Sequence, residues 1–201
     1  MTRTRSLSKF CVCLIPLLLP LMSFAQHGAR TVPRSLDQMV EQAETIVHGS
    51  VISAKIEPHP ELKNLSTVVI SMSVQSMLKG KAQKTLQFRQ FIWDMPGKLS
   101  AAEYQKGQEL VLLLGPVSKY GLTSPVGLEQ GRFRVTHDST GQAFATNGRG
   151  NLGLFQGTEQ RAQAAKIRLS ARTAGLVRQS QPGPVPLADL KEAIQGFAGV
   201  K

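Results

Sequence analysis

Between residues 43 and 91 the apolar side chains fall into three runs with strand spacing, separated by short polar turns, and a stretch of this kind predicts an antiparallel sheet. Ile46, Val47, Val51, Ile52 and Ile56 make a β-branched run that passes through Gly49. Ile70, Met72 and Val74 alternate with Ser71, Ser73 and Gln75, the period of two that gives a strand one buried face. Gly80, between Lys79 and Lys81, supplies the positive φ that a tight turn tends to need. Beyond it Leu86, Phe88 and Gln90 lie on one side of a third run, and Gln87, Arg89 and Phe91 on the other. A glycine inside a strand marks a bulge or a bend, so Gly49 predicts a first strand that bends and a sheet that curls toward a barrel.

The ends of the chain bound its compartment. Residues 1–25 carry Arg3, Arg5 and Lys9, then an apolar stretch reaching Phe24, with small residues at Ser23 and Ala25, which is the layout of a secretory signal peptide cleaved after Ala25. The stretch is shorter than the about 20 residues of a membrane span and is interrupted by Pro16 and Pro20, so no transmembrane segment is expected in the exported chain. The chain's 2 cysteines, Cys11 and Cys13, leave with the signal. Export without disulfides fits a periplasmic or secreted bacterial protein. Lys and Arg number 24 against 13 Asp and Glu, for a net charge of +11, and losing the signal leaves the balance strongly basic. Such a surface favours anionic partners of any kind.

Residues 26–157 read as one β domain with an N-terminal helix. Ser35 stands before Leu36, Met39, Val40 and Ala43, and Gln38 is placed to complete a capping box. The segment 57–61, with Pro58 and Pro60, is a loop because prolines lack amide donors. Residues 99–104 could make one or two helical turns. Residues 110–114, all apolar, suit a strand buried on both faces. Residues 131–137 and 142–146 flank a hairpin turn at 138–141. Residues 158–201 form a second unit: a basic helical segment over 158–172, a Pro/Gly linker over 179–186, and a closing helix with Leu187, Leu190, Ile194 and Phe197 on one face.

The expected fold class is therefore mainly β, a small OB-type antiparallel β-barrel with short N-terminal and C-terminal helices. Residues 43–51, AETIVHGSV, followed by residues 74–80, VQSMLKG, resemble the opening of netrin-like domains. Residues 107–113 and 127–133 extend the resemblance, which covers residues 36–136 in patches. That family includes the tissue inhibitors of metalloproteinases and secreted bacterial relatives. The animal inhibitors reach the catalytic zinc with an N-terminal cysteine braced by disulfides. This chain has neither, so the resemblance implies the barrel and not that mechanism.

Motifs for catalysis, metals or cofactors do not stand out, and the expectation is a non-enzymatic protein with no catalytic residue, no metal and no cofactor. Gly148, Gly150 and Gly153 match G-x-G-x-x-G, but a dinucleotide site needs that motif between a strand and a helix of a parallel βαβ unit, and here it follows a hairpin. It reads as a glycine-rich loop. His27, His48, His59 and His137 are not at metal-ligand spacing. A serine, histidine and carboxylate set is not visible, although such sets are spatial and can be scattered through a sequence.

The basic stretch 161–178 reads as a solvated helix face. With few aromatic residues for base stacking, nucleic acid is not the expected partner. The candidate ligand-binding residues are Trp93, Arg89 and Phe91 at the end of the third strand, joined by Arg132 and Arg134 from the hairpin, because Trp and Arg recur at binding hot spots. The alternative for Trp93 is a plug at one end of the barrel. The expected function is a secreted or periplasmic binding module for an extracytoplasmic protein or an anionic polymer. The alternatives are a proteinase inhibitor of netrin-like type and an extracytoplasmic hydrolase.

Overall fold

The computed structural model describes residues 32–92 and 104–199. The segment 1–25 expected to be a signal peptide, Trp93 and, except for Tyr104, the helical turns expected over 99–104 lie outside the described residues. Helix α1 spans Leu36–Gln42 with Ser35 as its N-cap, and Gln38 Oε1 accepts the Ser35 N–H at 3.1 Å, as the capping box requires. Its stripe of Leu36, Met39 and Val40 is buried.

The chain then lays down β1 (Thr45–Pro58), β2 (Ser66–Lys79), β3 (Thr85–Phe91), β4 (Glu109–Leu114), β5 (Arg132–His137), β6 (Ala143–Asn147) and β7 (Val185–Pro186). These form one sheet in the order β3-β2-β1-β4-β5-β6-β7, and every ladder is antiparallel. The register of β1 against β2 shifts between His48 and Gly49. A Cβ on Gly49 would stand 2.1 Å from the Ser73 carbonyl oxygen, so the bulge brings two backbones closer than any side chain allows.

The sheet is not closed into a barrel: its ladders run from β3 at one edge to β7 at the other. The closure expected from sequence would need β3 to pair with a returning strand, and the segment that returns beside it is irregular. Two isolated bridges, Arg89 with Leu122 and Leu114 with Pro125, tie that segment to β3 and to β4. Thr123 N–H donates to Arg89 O and Gly115 N–H to Ser124 O.

Both faces of the sheet are covered. On one side Val47, Ile70, Met72, Phe88 and Leu112 are buried within the curl of β1 to β4, with Tyr104 edge-on to Phe88 at 6.1 Å. On the other, Ile46, Val111, Leu113 and Phe133 pack with α1 and the C-terminal helices. The C-terminal unit differs from the single basic helix expected over 158–172. It comprises α2 (Thr158–Ala164), α3 (Ala171–Gln179) and α4 (Leu187–Ala198). Lys166, at φ 54°, turns the chain, and Ser170 caps the new helix by accepting the Thr173 N–H. The Pro/Gly segment is fixed by Asn151 Nδ2 donating to Gly183 O and by β7 pairing with β6.

Candidate functional site

The end of β3 faces the connection between β4 and the 3₁₀ turn Leu128–Gly131, and between them lies an open cleft of about 690 Å³. Half-buried Phe91, Leu122 and Leu128 line it together with Val126 and the α1-side residues Arg34 and Gln42. Hydrogen bonds build each wall. Ser118 N–H donates to Leu122 O, Leu122 N–H to Ser118 Oγ, and Thr123 Oγ1 to Gly115 O at 2.7 Å. His59, 3% exposed, pins this wall from below: its Nε2 lies 2.7 Å from Tyr120 O while Nδ1 accepts from the backbone of Glu61 and Leu62. On the opposite rim, buried Gln130 accepts the Arg34 N–H and donates to Val32 O. Leu128 holds φ 57°, an outlier for a residue of its bulk, and its side chain reaches the cleft from that strained position.

Of the residues singled out by sequence, Phe91 lies in this cleft. Trp93 is outside the described residues. Arg89 is drawn away along the loop of β1 and β2, donating to Thr67 Oγ1 at 2.6 Å and pairing with Glu57 at 3.5 Å. Arg132 sits elsewhere, 5.3 Å over the Tyr104 ring. Arg134 lines a separate cavity of about 390 Å³ with Lys106, Glu109 and His137. Phe91, Arg89, Arg132 and Arg134 thus stand in four different surroundings among the described residues.

A polar row crosses β2, β1 and β4. His48 Nε2 is 2.7 Å from Glu109 Oε1, and His137 Nε2 lies 3.8 Å from the other Glu109 oxygen. Burial pushes the His48 pKa down, and the nearby Lys191 adds to this, while the hydrogen bond and charge of Glu109 pull it up; the net shift is downward. Ser76 is the cross-strand partner of His48, and the buried Ser76 Oγ and His48 Nδ1 both lack a hydrogen-bond partner among the described residues. Serine, histidine and carboxylate thus lie on neighbouring strands, but Ser76 Oγ makes no hydrogen bond to His48. The Ser76 hydroxyl is sealed in the interior, where no substrate carbonyl reaches it.

The basic stretch is likewise engaged. Arg161 pairs with Asp37 at 2.6 Å and donates to Gln156 O, and Arg172 pairs with Asp189 at 3.1 Å. Burial raises the Asp37 pKa, but hydrogen bonds with Arg161, Ser35 and Thr158 and the Arg161 charge outweigh it and hold the carboxyl at about 2. The glycine motif is a turn in which Asn147 and Asn151 bond each other's backbone N–H at 2.9 Å. Among the described residues no group of three or more His, Cys, Asp or Glu is arranged to hold a metal ion, and no helix is long and apolar enough to cross a membrane.

Arg34, Leu122 and Leu128 are the site residues that sequence reasoning missed. The available signal was Pro125 and the glycines around it, which mark an irregular segment without saying what it packs against. Compared with known proteins, the chain matches no family model, no curated protein and no solved structure.

Proposed function

We propose that the protein is a non-enzymatic binding module, secreted or periplasmic, that takes a segment of a partner protein into the cleft at the end of β3. The observation that carries this reading is the cleft itself: half-buried Phe91, Leu122 and Leu128 surround an open space of about 690 Å³. That volume lies within the range of ligand sites, and its apolar lining favours a polypeptide's side chains over an anionic polymer. The finer fold reading, a derivative of the OB barrel resembling netrin-like domains, is supported by the bulged β1, by β4 returning beside β1, and by the bridges that carry residues 122–125 between β3 and β4.

The test is capture from an extracytoplasmic fraction by the immobilised exported chain, compared with Leu122→Asp and with a remote Lys63→Gln control. The expected result is a partner retained by the parent and the control and lost by Leu122→Asp at a similar melting temperature. A partner retained equally by Leu122→Asp contradicts the reading. If the captured partner is a secreted proteinase, its inhibition by the parent protein favours the netrin-like inhibitor alternative.

A further inference from the structure

Among the described residues the lining of the cleft contains one charged side chain, Arg34, and no carboxylate. Arg34 is half-buried, and its guanidinium has no hydrogen bond or ion pair with any described residue; its one polar contact there is the backbone N–H donated to Gln130 Oε1 at 2.9 Å. Neither nearby acid pairs with Arg34 among the described residues. Asp37 is clamped by Arg161, and the Glu129 stem lies against Gly148, where a Cβ would meet it at 2.5 Å. Arg34 also lines a polar cavity of about 350 Å³ with Gln38, Gln156 and Arg161, so it stands on the ridge between an apolar and a polar space.

A partly desolvated cation with no counter-charge is unfavourable until an anion reaches it. Its planar fork matches a carboxylate with two parallel hydrogen bonds. We infer that Arg34 receives the C-terminal carboxylate of a partner polypeptide whose last, apolar side chain fills the cleft beside Phe91 and Leu122; this rests on the cleft being the binding site. An apolar group and an anion must then lie within one residue of each other on the ligand, as they do at a chain terminus ending in Leu or Phe. Gly115, Ser118 and Ser124 are small residues in the wall, which lets an incoming main chain approach closely.

Fluorescein-labelled hexapeptides ending in Leu, Phe, Val or Lys, each as the acid and as the C-terminal amide, test this by anisotropy, with dodecanoate as a lipid competitor. The expected result is that apolar-ended acids bind at least about tenfold more tightly than their amides, that Arg34→Gln erases this difference, and that Arg34→Lys keeps part of it. Equal binding of acid and amide that is still lost in Leu122→Asp overturns the carboxylate assignment and leaves the cleft as the binding site. Dodecanoate binding without peptide binding, or binding by no peptide while the captured partner still depends on Leu122, overturns it as well. Peptide binding that survives Leu122→Asp overturns both the inference and the cleft.

Discussion

Asp37 sits in the first turn of α1, where the helix dipole favours a negative charge, and Arg161 reaches it from α2. Its pKa falls from 3.8 to about 2. An acid lowered on folding contributes stability that is complete above the unfolded value and is lost as pH falls toward the folded one. Stability should therefore drop by about 1–2 kcal/mol between about pH 4 and pH 2, a figure trimmed because the Arg161 side chain is 40% exposed. His48 acts in a higher window. Its folded pKa lies below the ordinary 6.5, so the unfolded chain takes up the proton first and stability begins to fall as pH drops below that value. Denaturant midpoints measured from pH 8 to pH 2 should show both declines, with the upper one absent in His48→Gln and the lower one absent in Asp37→Asn. At this scale what is local is legible in sequence: Ser35 and Gln38 are three positions apart, and the capping box was expected. Asp37 with Arg161 and His48 with Glu109 are 124 and 61 positions apart, and no spacing rule connects them.

Among the helices, α4 is the one that periodicity alone, without a capping residue, places correctly. Leu187, Leu190, Ala193 and Ile194 are buried, and Phe197 packs beside them partly covered. Truncation after Gln181 should uncover the face of the sheet around Val111 and Phe133, raising binding of a hydrophobic dye and lowering the melting temperature. Within the intact chain, Ile194→Ala should cost about 2–5 kcal/mol in a denaturant titration, and Phe197→Ala less, because that ring already has solvent on one side. Equal costs would mean that Phe197 is a core residue. The residues of the segment 158–172 favour helix and predict one helical stretch there. The turn at Lys166 separates α2, which buries Ala162, from α3, whose Val177 joins the core under α4. The helix that Ser170 caps, α3, buries only Thr173 and Val177, too thin a stripe for periodicity to detect.

For the molecule as a whole, strand alternation gave away the sheet, the hairpin turn at 138–141 and the bulge at Gly49, because each is written in neighbouring residues. The order of strands and the open edges were not written there. Closure depends on how residues 118–126 meet β3, and that segment, interrupted by Pro125, carries neither the period of a strand nor that of a helix. The same segment makes one wall of the cleft, which is why the sequence singles out Phe91 among its lining residues and not Leu122, Leu128 or Arg34. The central claim is that this cleft is the contact surface, and amide hydrogen exchange of the protein with and without its captured partner tests it most directly. Binding should slow exchange at residues 115–128 and at Phe91 while leaving the turn at 105–109 unchanged. Protection confined to residues 105–109 and 132–137, or to the basic helices α2 and α3, would contradict the account.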